Sequence, residues 1–185
     1  MLGYTLTSWD STSLDTSMVE TMGALYQRDF VPEEVRILAP DHYGTEQFRS
    51  RMHDHYITAP GFEAVTVHHR HDLVGFVTAA HLHGTGWWDP LIAPTTIDTH
   101  EDGTRTLGIF DLVIANEHRG RRLASLLHAA VLAGRTVERV SLLSSLPQQP
   151  AFTMWQRWGY EIVGRVQFEP DGPVSDLFLK PYNSH

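Results

Sequence analysis

Cysteine is absent from the 185 residues. That excludes disulfides, thiolate zinc sites and a cysteine nucleophile, and it fits a reducing, cytoplasmic compartment. No apolar run reaches the roughly 18 residues needed to cross a bilayer, so no membrane role is expected. Met1 to Asp10 has neither the basic start nor the apolar stretch of a secretory signal. No internal repeat, low-complexity tract or Pro/Gly linker divides the chain. Its length favours one domain over residues 1–185, with a core of its own. Positive charge is scarce, since 14 Lys and Arg face 22 Asp and Glu for a net charge of −8. A general nucleic-acid binder carries the opposite sign. The acidic balance is compatible with a cationic acceptor, but more simply it keeps a protein in solution.

What is present is an ordinary globular mixture, 42% hydrophobic and 19% charged. Tyr4 to Leu6 reads as a short strand. Leu14 to Phe30 places Met18, Met22, Leu25 and Tyr26 at helical spacing, with capping residues among Asp10 to Ser13. Pro32 and Pro40 break the next stretch. Glu46 to Tyr56 repeats the helical pattern through Phe48, Met52, His55 and Tyr56, and Pro60-Gly61 ends it. Phe62 to His69 and Leu73 to His83 then read as a hairpin turned at Arg70-His71-Asp72. Gly84 to Gly103 is a long irregular loop, of the kind that often carries function. The second half gives a strand Thr106 to Ala115, a helix Arg121 to Ala133 and a strand Arg139 to Ser144. A short helix Pro150 to Trp158 and the strands Tyr160 to Phe168 and Val174 to Leu179 complete it. The order β-α-α-β-β-β-α-β-α-β-β predicts an α+β fold: a mixed, mostly antiparallel sheet with about four helices.

The junction of strand and helix after Ile114 carries the clearest chemistry. A helix N-terminus leaves backbone N–H groups free and bears partial positive charge, so a diphosphate can sit there if no bulky side chain intervenes. Gly120 permits close approach, Ala124 keeps the first turn slim, and Arg119, Arg121 and Arg122 are cationic partners for phosphate. Taken alone, this run reads better as an exposed helix start that happens to be rich in arginine, since lone Gly motifs match often by chance. Its context, a buried strand running into an amphipathic helix with a second strand and helix close behind, favours the anion site.

Asp111-Leu112-Val113-Ile114 followed by Glu117-His118-Arg119-Gly120-Arg121-Arg122-Leu123-Ala124 resembles motif A of the GNAT acyltransferase superfamily. Ser141 to Tyr160 resembles its motif B, with Ala151, Trp155, Gly159 and Tyr160 on the motif positions. The resemblance implies a GNAT-like sheet with a splayed strand pair, and an N-acyltransferase using acetyl-coenzyme A or another acyl-coenzyme A as cosubstrate. It implies that the backbone of Leu112, Val113 and Ile114 pairs with the pantetheine arm. The N–H groups from Arg119 to Ala124 bind the pyrophosphate, and the strands around Val113 and Leu142 splay to admit the thioester. The sequence departs from the pattern at Asn116 for Pro, Arg122 for Gly, Gln148 for Asn and Trp155 for Tyr. The last removes the usual proton donor to the departing thiolate, because an indole N–H is not a usable acid.

Acyl transfer tolerates that loss, since a thiol with a pKa of about 8.5 leaves acceptably as thiolate. Ser144, Ser145 or Tyr160 is the substitute donor. Asp111, a carboxylate on the strand lining the expected cleft, is the first candidate for the base. Its alternative is a structural carboxylate bonded to backbone or arginine. Glu101, His81 and His83 rank lower. Trp87, Trp88 and Asp89 are candidate acceptor-binding residues, two rings and a carboxylate for a cationic amine, although tryptophans also anchor loops. His69 with His71 and His81 with His83 would each share a sheet face, but two imidazoles are a weak zinc signal, and no metal is expected. The expected acceptor is a primary amine on a small molecule. The rival readings are a carrier-protein thioester or aminoacyl-tRNA as donor, or a catalytically silent module binding coenzyme A or a partner. Oligomeric state is open, a homodimer being among the alternatives.

Overall fold

A computed structural model describes residues 3–32, 43–84, 86–92, 96–144, 150–168, 170, 172 and 174–182. Pro40, Ser145 and Gln148 lie outside them. The described strands form a seven-stranded sheet in the order β1-β2-β3-β4-β5-β7-β6. The chain divides into two compact units: Met1–Ala80 with Asp111–Ala133, and His81–Phe110 with Gly134–His185. Strands β3 and β4 supply residues to both.

In the first unit, β1 (Tyr4–Trp9) pairs antiparallel with β2 (Glu63–His69), and β2 with β3 (Asp72–His83). Arg70 turns that hairpin with a left-handed backbone, φ 59°. His71 therefore sits in the turn, and the expected sharing of a sheet face by His69 and His71 does not occur. α1 (Thr16–Leu25) starts at Asp15, whose side chain accepts from Met18 N at 2.8 Å, one of the donors that a helix start leaves without an internal partner. The sequence predicts one helix to Phe30, but the last five residues, Tyr26–Phe30, close as a π turn. α2 (Thr45–Arg51) ends the same way, in a π turn over Met52–Tyr56. Met22, Phe48, Met52 and Phe76 are fully buried. The Phe48 ring stands 5.1 Å from Tyr26 and 5.7 Å from Phe76, which fixes both helices on the sheet. Backbones approach closely at Gly75, where a Cβ would lie 2.7 Å from Ile114 Cδ1 and 2.8 Å from Val113 O.

In the second unit, β5 (Arg139–Ser144) runs parallel to β4 (Asp102–Ile114), from Thr106↔Arg139 to Ile109↔Leu142. There the ladder ends, although β4 continues to Ile114 and β5 to Ser144. β4 starts at Asp102 rather than Thr106, because its first residues are too polar to show as strand by hydrophobic pattern. β7 (Ser175–Pro181) lies antiparallel between β5 and β6 (Glu161–Val166). α4 (Pro150–Arg157) joins β5 to β6 in the chain. Leu82, Trp88, Val166 and Leu177 form the buried cluster here.

Candidate functional site

After β4 the chain makes a 3-10 turn, Asn116–His118, and enters α3 (Leu123–Leu132). Two residues before the helix are left-handed, Gly120 at φ 74° and Arg122 at φ 63°. The sequence predicts Arg122 to be helical. Instead it adopts the conformation that glycine holds easily and that costs an L-residue about 1–2 kcal/mol. Strain of this kind gathers at functional sites. The first helical hydrogen bond is Leu126 N to Arg122 O, 3.1 Å. Arg119 and Gly120 form a hydrogen-bonded turn closed by the Arg121 amide, and among the described residues the amides of Gly120 and of Arg122 to Ser125 meet no acceptor. Among the described residues, a Cβ on Gly120 would touch nothing within 4 Å. α3 presents Leu123 and Leu127 inward, which anchors the turn on the core.

Arg119 is engaged differently from its neighbours. Its amide donates to Asn116 O at 3.3 Å, so the cradle of free donors begins one residue later than the motif implies. Its guanidinium donates to Ile114 O and to Asp29 O. Among the described residues the Arg121 side chain makes only a long contact, 3.4 Å to Glu117 O, and both Arg121 and Arg122 are exposed. At the end of β4, Val113 and Ile114 are buried and Leu112 half-buried.

Asp111 sits on β4 in the first unit, 6% exposed. Thr78 Oγ1 donates to its Oδ2 at 3.3 Å. Burial raises its pKa above the ordinary carboxylate value, while the Arg51 guanidinium and the Thr78 hydrogen bond pull the other way. The Arg51 Cζ lies 5.4 Å over the Tyr26 ring. Burial and the Asp111 charge push the Tyr56 phenol up to about 12. Arg51 and Thr78 escape sequence reasoning, and Tyr26 and Tyr56 read there only as parts of apolar helix faces. The available signal was that a tyrosine, which carries a polar head, stands near the end of each face.

The other candidates lie in the second unit. Trp88 is buried, its Nε1 donates to Glu101 Oε1 at 3.0 Å, and Arg139 stacks over its ring at 5.2 Å. It anchors the loop. Trp87 is half-buried, with Nε1 donating to Ser141 Oγ at 3.0 Å. Asp89 is exposed. Glu101 Oε1 is held by Arg139 at 2.8 Å and by Thr106 at 2.7 Å, which ties this carboxylate to a buried ion pair. His81 is half-buried and burial lowers its pKa, with Arg135 adding to the effect. Ser144 is half-buried opposite Asp176. Tyr160 is 2% exposed, and burial raises its phenol well above the usual value. Trp155 is buried edge-on to Trp158 and Tyr160. Among the described residues no group of three or more His, Asp or Glu is placed to hold a metal ion.

No family model matches the sequence, and none of the curated proteins resembles it. Solved structures do. A GNAT family acetyltransferase from Streptococcus agalactiae 2603 superposes with a TM-score of 0.68 at 14% identity, over 97% of this chain and 96% of that one. An aminoglycoside 6'-N-acetyltransferase complexed with coenzyme A gives 0.60 at 15% identity, over 98% of both chains. A GNAT family acetyltransferase from Elizabethkingia anophelis with acetyl-CoA bound gives 0.59 at 9% identity, over 98% of this chain and 100% of that one. What is shared at such identities is the backbone plan: the chain has the fold of the GNAT acetyltransferases.

Proposed function

We propose that the protein transfers an acetyl or other short acyl group from coenzyme A to a primary amine of a small molecule. The observation that carries this reading is the turn before α3. Among the described residues, its left-handed Gly120 and Arg122 leave the amides of Gly120 and of Arg122 to Ser125 without acceptors, at the positive end of a helix. A diphosphate supplies the missing acceptors, and Arg121 and Arg122 add charge at the rim. The backbone of Leu112 to Ile114 offers an extended edge to the pantetheine amides. The solved structures of the same fold that hold coenzyme A or acetyl-CoA support the choice of donor. The aminoglycoside enzyme among them supports a small-molecule amine as acceptor.

The thioester provides an activated acyl carbon: a C–N bond forms to the amine, the C–S bond breaks, and one proton leaves the amine. Asp111 takes that proton. Burial lifts its pKa toward the range in which a base both ionises and accepts a proton readily. Thr78 orients the carboxylate, and the Arg51 charge opposes the effect of burial on it. Tyr160 is a poor proton donor here because burial raises its pKa, which leaves Ser144 as the described candidate for the donor. Replacing Asp111 by Asn should lower kcat by two to four orders of magnitude, roughly the worth of general acid–base catalysis. It should change the Kd for coenzyme A less than about threefold, the turn and Asp111 being separate contacts. Steady-state kinetics with calorimetry separates the two, and unchanged turnover would remove Asp111 from the mechanism.

A second reading is a catalytically silent module that binds coenzyme A. The burial of Trp155 among Trp158 and Tyr160 favours it, because the position that usually carries the acid is closed. Coenzyme A binding without thioester loss across a broad amine panel would select this reading.

A further inference from the structure

The turn that ends α1 is tied to the phosphate turn at several points. A helix end leaves carbonyls without internal partners. Arg119 serves one of them: its Nη2 donates to Asp29 O at 2.7 Å, while its Nε donates to Ile114 O at 3.3 Å. Asn116 Nδ2 donates to Asp29 Oδ1 at 2.9 Å. The other carboxylate oxygen accepts from Arg28 Nε at 2.8 Å, and Arg28 Nη2 lies 3.7 Å from Glu117 Oε1. The Asp29 side chain is 5% exposed, so both of its oxygens are held in a confined place. Asn116 opens the 3-10 turn that leads into the left-handed pair, and Arg119 follows it. This also gives Asn116 a purpose: the proline of the GNAT pattern has no side-chain amide to reach Asp29.

Tyr26 opens the same π turn, and its ring lies under the Arg51 guanidinium, 5.4 Å from Cζ, whose charge acts on Asp111. One short turn therefore touches both the chain that leads to the diphosphate cradle and the side chains around the base. The geometry points to Asp29 as a positioning residue that, gripped by Asn116 and Arg119, couples occupancy of the phosphate turn to the setting of Tyr26 and Arg51. Loading of the donor orders the acceptor side through this clamp. The inference rests on the coenzyme A reading, and the coupling works in both directions because binding linkage is reciprocal.

Hydrogen exchange of the full chain with and without coenzyme A tests it. In the wild type the coenzyme slows exchange in residues 120–126 and also in residues 26–31, the latter roughly fivefold, as one net hydrogen bond is worth. In Asn116→Ala the slowing persists in 120–126 and is lost in 26–31. The double variant Asp29→Asn with Asn116→Asp exchanges donor and acceptor across the contact and restores it, a rescue that a merely structural Asp29 would not give. Slowing confined to 120–126 in the wild type, or undiminished in 26–31 of Asn116→Ala, overturns the clamp and leaves the coenzyme A reading standing. Slowing in neither segment overturns both.

Discussion

Arg122 holds a left-handed backbone where the GNAT pattern places glycine. Its Cβ is strained there, yet its exposed guanidinium stands at the rim of a cradle of free amides. Replacing it by glycine separates the two effects. Arg122→Gly should raise stability by about 0.5–1 kcal/mol, the relief of strain being partly offset by the freer unfolded chain. It should also weaken coenzyme A binding roughly five- to tenfold by removing a charge-assisted contact. Denaturant melts and calorimetry read the pair, and undiminished affinity would place the Arg122 side chain outside the phosphate site. The sequence shows that a phosphate turn stands here, through Gly120, Ala124 and the arginines. It does not show that Arg122 is left-handed, because arginine is a good helix former and local propensity argues for the opposite. Nor does it show Arg51 and Thr78 beside Asp111, since those contacts join residues far apart in the chain.

Among the elements, the strands were the most legible. Alternation and apolar runs place β2, β3 and β5 within a residue or two of their observed ends. The hydrophobic pattern starts β4 only at Thr106, because Asp102 to Arg105 is polar. The π turns were invisible, because one extra residue per turn scarcely disturbs a helical spacing of apolar side chains. They matter nonetheless, since they deliver Tyr26 and Asp29 on one side and Tyr56 on the other. Close approach of β3 to the end of β4 sets another element-level constraint at Gly75. Gly75→Ala should destabilise by about 1–3 kcal/mol, because backbone at Val113 O cannot yield to a methyl group as a side chain can. A thermal or urea melt checks this, and a neutral result would mean that the two strands have more room than their packing indicates.

Among the described residues the elements follow the expected order of seven strands and four helices, and solved structures share this fold although no family model matches the sequence. Periodicity and turn signals carry the order of elements, and the two motifs carry the donor site, whereas the acceptor surroundings are assembled from distant segments that leave no local pattern. The central claim is that the amides of Gly120 and of Arg122 to Ser125 hold the diphosphate of an acyl donor. Titration calorimetry of coenzyme A into the wild type and into Gly120→Val tests it most directly. The backbone at φ 74° admits valine poorly, and the branched side chain would add bulk at the turn. Binding at one site per chain in the wild type, weakened at least about tenfold in a folded Gly120→Val, is the expected result. A folded wild type that takes up no coenzyme A, or a variant that binds it equally well, would contradict the claim.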